Sequence, residues 1–99
     1  RHMLADMQTK VDAARLLVYR AAELASRGVP CSREVSMGKL FASETLQEVT
    51  RCGMQILGGH SMLPESDMER YFRAGMQSTI GGGTSQIQRT IIAKSMRAA

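Results

Sequence analysis

The apolar positions of the first quarter of the chain recur at intervals of three and four. From about residue 2 to residue 27 there is neither glycine nor proline. Leu4, Met7, Val11, Ala14, Val18, Ala21 and Ala25 fall on one face of a helix, and Asp12, Arg15, Tyr19 and Glu23 fall off it. Gly28, followed by Val29-Pro30, is placed to end that helix at the C′ position. Ser32 is a candidate N-cap for a second helix with an inward stripe of Val35, Ala42, Leu46, Val49, Gly53 and Ile56, terminated by Gly58-Gly59. Pro64 precedes a third, shorter helix, in which Ser66 and Glu69 have capping-box spacing and Met68, Tyr71 and Phe72 form the apolar side. Gly75 weakens that helix, and residues 76–83 read as an irregular connection. Ser85 with Gln88 repeats the capping-box spacing, and Ile87, Ile91 and Ile92 carry a last helix to near Ala98.

No segment keeps the period of two that a strand requires. The predicted class is all-α, an up-and-down bundle of about four helices. Two long helices form an antiparallel hairpin and two shorter ones pack across it. Ile91 and Ile92 are adjacent, and Leu16-Leu17-Val18 is apolar on more than one face. Helices of that kind need neighbours on two sides, so the chain is expected to bury surface against other chains or further segments, with a homo-oligomer as the expected assembly.

Composition agrees with this class. The chain has 99 residues, enough for one small domain, and 43% are hydrophobic. Only 4% are aromatic, Trp is absent and Met reaches 8, so the core draws on Leu, Ile, Met and Ala, which suits helix packing. The formal net charge of +4 is spread along the chain with acids interleaved, and no cluster alternates base with aromatic. That is the pattern of a solvated helical surface and points away from nucleic acid. Cys31 and Cys52 are 21 positions apart, and His2 and His60 stand at spacings unsuited to a zinc site, so two buried thiols are expected. No apolar run approaches the length of a membrane span. The opening Arg1-His2-Met3 reads as a cloning remnant or as the interior of a helix cut from a longer protein.

Two glycine corners are the candidate chemistry. In Gly81-Gly82-Gly83-Thr84-Ser85-Gln86-Ile87-Gln88-Arg89, glycines give way to a polar pair and then to a helix. A helix N-terminus reached through glycine offers unpaired N–H groups to an oxyanion or phosphate. The run is no Walker loop, because no Gly-Lys-Ser/Thr follows, and no Rossmann fingerprint, because no strand precedes it. On composition alone its plainer reading is a flexible linker. The second corner is Gln55-Ile56-Leu57-Gly58-Gly59-His60, where an amide lies one turn before two glycines; its plainer reading is a C-cap with a surface glutamine. No spacing fixes a carboxylate or nucleophile beside His60, and no Ser–His–Asp set, carboxylate pair or metal cluster is present in the pattern.

Leu4-Ala5-Asp6-Met7, Gln55 to His60, Arg70-Tyr71-Phe72-Arg73 and Gly83 to Arg89, in this order and at these separations, resemble the C-terminal helical domain of the acyl-CoA dehydrogenase family. The likeness extends over essentially the whole chain, residues 1–99 being such a bundle without its first helix. Full members are several times longer. The resemblance implies α,β-dehydrogenation of an acyl-CoA thioester: a glutamate removes the α-proton and the β-hydrogen leaves as hydride to FAD, with electrons passing to an electron-transfer flavoprotein. It implies that Gln55, Ile56, Leu57, Gly58 and Gly59 contact the FAD of a neighbouring subunit. Thr84, Ser85 and Gln86 then contact FAD at the helix start, and Gly82 and Gly83 lie beside the acyl-CoA. Many members read Tyr-Glu-Gly-Thr where this chain has Gly81-Gly82-Gly83-Thr84, so the usual glutamate position is Gly82 and no catalytic residue is assigned within the chain. In branches resembling isovaleryl-CoA and long-chain dehydrogenases, the base comes from a helix that would precede Arg1. Arg73-Ala74 replaces the usual Arg-Asp pair, and Ser61-Met62 the usual Gly-Tyr. The resemblance further implies an inactive isolated chain and a location in the cytoplasm if bacterial or the mitochondrial matrix if eukaryotic. Two alternatives stand beside it: a fragment of a related flavin monooxygenase or nitroalkane-oxidising enzyme, and a free-standing helical oligomerisation module.

Overall fold

Helix α1 (His2–Ser26) leads through a short turn to α2 (Ser32–Leu57), followed by a 3₁₀ helix (Gly58–Met62), α3 (Asp67–Ser78) and α4 (Ser85–Arg97). The computed structural model describes residues 1–63 and 65–97, so the expected roles of Pro64 and of Ala98 lie outside the described residues. Among the described residues there is no strand, and the all-α, four-helix expectation holds.

The local signals account for most of the boundaries. Gly28 follows the C-cap Arg27 at φ +72°, as its position in the sequence predicts. Ser32 is the first residue of α2 and Cys31 occupies the N-cap without a side-chain hydrogen bond, which corrects the expected cap by one position. Ser66 caps α3 as expected, its hydroxyl accepting from the Met68 N–H at 3.3 Å. Glu69 does not complete a capping box. It pairs with Arg73 one turn later at 3.4 Å, and so supplies the partner that Ala74 cannot. Helix α3 runs on to Ser78, three residues into the stretch expected to be irregular.

Helix α2 is the axis of the bundle. It packs against α1, α3 and α4, while those three do not meet one another. Its buried residues are small or polar, namely Ser36, Gly38, Ser43, Thr45, Thr50 and Gly53. Ser43 and Thr50 return their hydroxyls to the carbonyls of Lys39 and Leu46, each at 2.7 Å, so they enter the interior with their donors satisfied. This corrects the inward stripes read from hydrophobicity. Ala14 and Ala21 are buried in α1, but Leu4, Val18, Val35, Leu46 and Ile56 are exposed. Close helix approach selects small side chains at the contact and turns larger ones outward. Cys31 and Cys52 are half-buried free thiols, less enclosed than expected.

Gly75 shows the same principle most sharply. A Cβ there would lie 3.4 Å from the backbone N and Cα of Gln47, so α3 rests on α2 at a point where any longer side chain must push the helices apart. The residue that reads as a weak point of α3 is its docking point. Large apolar side chains remain uncovered elsewhere, including Leu16 at 69% exposure, Ile80 at 66% and Met96 at 65%. An isolated domain has no physical use for that much exposed apolar surface.

Candidate functional site

The glycine corner between α3 and α4 is a built turn. The Ile80 and Gly81 N–H groups both donate to the Gln77 carbonyl at 3.0 Å, and Thr79, the C-cap of α3, receives the Gln47 amide at 3.0 Å. Gly82 and Gly83 follow with φ of +69° and +98°, conformations that residues with a Cβ avoid. At Gly83 a Cβ would also come within 2.6 Å of the Gln88 amide nitrogen, which reaches back to the Gly82 carbonyl at 3.4 Å. This is no flexible linker: its backbone groups are held from three sides.

Thr84 is the cap of α4. Its hydroxyl accepts from the Ile87 N–H at 3.1 Å and its carbonyl from the Gln88 N–H at 3.0 Å. The expected Ser85–Gln88 capping box is therefore corrected: Gln88 points to Gly82, and Ser85 is buried with a hydroxyl that has no hydrogen-bond partner among the described residues. The Ser85 N–H is spent on the Thr79 carbonyl at 3.1 Å, whereas the Thr84 and Gln86 N–H groups have no partner among the described residues. Beside them lies an open cleft of about 310 Å³ that includes Glu44, Gln47, Ile80, Gln86 and Arg89. Glu44 is engaged by Arg89 through both carboxylate oxygens at 2.9 Å, so the carboxylate in this cleft is occupied.

The second corner is formed by the last turn of α2 and the 3₁₀ helix. Gln55, Ile56, Leu57, Gly58 and Gly59 are all exposed, and an open cleft of about 460 Å³ is bounded by Arg51, Met54, Gln55, Gly59, Met62 and Phe72. His60 is exposed within the 3₁₀ helix, and its side chain makes no hydrogen bond or ion pair among the described residues. The 12 residues of α3 separate the corners by about 18 Å at 1.5 Å per residue. The structure thus gathers Gly82, Gly83, Thr84, Ser85 and Gln86 in one place and Gln55 to Gly59 in another, and the two groups do not share a cleft.

The sequence pattern missed Lys39 and Gln47, which hold the glycine turn from α2, and it read Gln88 as half of a capping box, whereas its amide reaches back to Gly82. Lys39 is half-buried, but nothing in its own neighbourhood marks the position. No group of three or more His, Cys, Asp or Glu is arranged to hold a metal among the described residues, and no described helix is long and apolar enough to cross a membrane.

The fold and its two glycine corners define a helical bundle domain with an open cleft at each end of α3. Residues 1–97 match the family model described as acyl-CoA dehydrogenase, C-terminal domain. The chain belongs to the acyl-CoA dehydrogenase family. It is 44% identical over 91 residues to an acyl-CoA dehydrogenase of Bacillus subtilis, covering 92% of this chain and 24% of that protein. It is 43% identical over 90 residues to the caffeyl-CoA reductase–Etf complex subunit CarC of Acetobacterium woodii, covering 91% of this chain and 24% of that protein. Its fold superimposes with a TM-score of 0.95 on butyryl-CoA dehydrogenase from Megasphaera elsdenii, at 31% identity, over 97% of this chain and 25% of that one. The chain spans about a quarter of the length of these relatives.

Proposed function

We propose that residues 1–99 serve as the C-terminal helical domain of an FAD-dependent acyl-CoA dehydrogenase, which removes the α-proton and the β-hydride of an acyl-CoA thioester. The observation that carries this reading is the braced glycine turn opening α4, in a chain of this family. Gly82 and Gly83 at positive φ run directly into the Thr84 and Gln86 N–H groups, which have no partner among the described residues. That donor set fits the phosphate oxygens of FAD, because a helix N-terminus attracts anions and the carboxylate in the cleft is already paired.

In this reading Thr84, Ser85 and Gln86 hold the diphosphate region, while Gly82 and Gly83 lie beside the thioester. The Gly82 N–H is aimed at the carbonyl oxygen, where negative charge develops as the α-proton departs. Gln55 to Gly59 contact the FAD of a neighbouring subunit, in keeping with a corner remote from the first. When bound, FAD supplies the acceptor for the β-hydride. Gly82 cannot take a proton, so the base is carried by a part of the enzyme outside residues 1–99, on an earlier helix of the same bundle. The acceptor of the electrons is an electron-transfer flavoprotein, a partner suggested by the Etf complex to which the Acetobacterium relative belongs. The exposed Leu16, Tyr19, Ile80 and Met96 are covered by the remaining domains or by further subunits.

The complete protein is expected to purify yellow with one FAD per subunit and to bleach when acyl-CoA is added without oxygen. The 99-residue chain alone is expected to retain no stoichiometric flavin and to show no turnover. A complete protein that binds flavin but reacts only with oxygen or a nitroalkane contradicts the dehydrogenase reading. A yellow, active 99-residue chain contradicts the division of labour between domains.

A further inference from the structure

Lys39 projects from the third turn of α2 into the glycine turn. Its Nζ donates to the Ser78 carbonyl at 2.8 Å and to the Gly83 carbonyl at 2.6 Å. Ser78 is the last residue of α3 and Gly83 immediately precedes the cap of α4, so one ammonium ties the two helices together across Gly81 and Gly82. The lysine is half-buried and forms no ion pair among the described residues; its charge is met by carbonyl dipoles.

The direction of these bonds matters. No peptide here is cis, so in the planar unit joining Gly83 to Thr84 the carbonyl and the N–H point to opposite sides. With the Gly83 carbonyl on Lys39, the Thr84 N–H faces away from the lysine and has no partner among the described residues. A cation bonded to a peptide oxygen polarises the unit and makes its N–H a stronger donor. The unit before it is fixed from the other side, where Gln88 holds the Gly82 carbonyl.

We propose that Lys39 is a positioning residue: it sets the orientation of the Gly83–Thr84 peptide and, through that peptide, directs positive potential to the anionic group received at the start of α4. The proposal rests on the reading of Thr84 to Gln86 as a contact for the FAD diphosphate. A plain brace would need only the hydrogen bonds, whereas this role also needs the charge.

The test uses the complete flavoprotein with Lys39→Arg, Lys39→Gln and Lys39→Met. FAD affinity is measured by titrating the apoprotein, and melting temperature, flavin spectrum, kcat and KM are measured in parallel. Both neutral variants are expected to lose about tenfold or more in FAD affinity, equivalent to about 1.4 kcal/mol, while Lys39→Arg loses about threefold or less. Equal affinity for Lys39→Gln and Lys39→Arg overturns the role of charge, as does a Lys39→Met protein that holds FAD like the parent. If Lys39→Met does not fold, the comparison of glutamine with arginine decides. A parent protein that binds no FAD overturns the functional reading together with this inference, whereas a parent that binds FAD beside variants that bind it equally well overturns the inference alone.

Discussion

Gly75→Leu is expected to abolish cooperative folding of the 99-residue chain, or to lower its stability by about 3 kcal/mol where a transition survives. The position has no room to yield. A Cβ would sit 3.4 Å from two backbone atoms of Gln47 and from the Leu46 side chain, so a leucine must separate α3 from α2. Helix α3 packs mainly on α2, with a smaller contact to the 3₁₀ helix, so the loss falls on its main interface. Gly53→Ala is the matching control. Its Cβ would come within 2.7 Å of the Met68 thioether, the far end of a flexible side chain that can swing aside. Urea denaturation followed by circular dichroism is expected to place Gly53→Ala within about 1 kcal/mol of the parent, well above Gly75→Leu. Equal stability for Gly75→Leu and the parent contradicts the packing described here.

Gly83→Val is expected to cost about 3 kcal/mol and to disorder the corner itself. Two effects combine there. Backbone at φ +98° is strained for any L side chain and worse for a β-branched one. The new Cβ would also meet the Gln88 amide nitrogen at 2.6 Å and displace the group that holds the Gly82 carbonyl. Gly82→Ala carries the first effect without the second, since nothing lies within 4 Å of a Cβ at that position, and it is expected to cost about 1 kcal/mol. A valine variant no less stable than the alanine variant contradicts the account of the turn.

These two sites mark how far the sequence could be read. Helix count, the stop at Gly28 and the Ser66 cap were legible because each depends on neighbours within one turn. Periodicity turned Ala14, Ala21 and Gly53 inward but passed over Ser36, Ser43, Thr45 and Thr50, because a hydrophobicity pattern does not count polar residues, of which Ser43 and Thr50 return their hydroxyls to the helix backbone. Gly75 read as a defect because its reason for being glycine is Gln47, 28 positions away. Both glycine corners were visible as candidate ligand sites, and the order of motifs pointed to the family. What made the first corner rigid was not visible. Lys39 is one of 13 basic residues, and its two carbonyl partners lie about 40 positions further on. The cap fell on Thr84 and not Ser85 because Ser85 turns into the interior, an outcome set by how α4 docks on α2.

In the proposed role the Gly81–Arg89 run positions and hydrogen-bonds but does not supply the base. The most direct measurement is anaerobic bleaching of the flavin by acyl-CoA in the complete protein, compared between the parent and Gly82→Glu. The parent, with glycine at position 82, is expected to bleach at a full catalytic rate without needing the added carboxylate. A parent that stays yellow beside a Gly82→Glu variant that bleaches would contradict it.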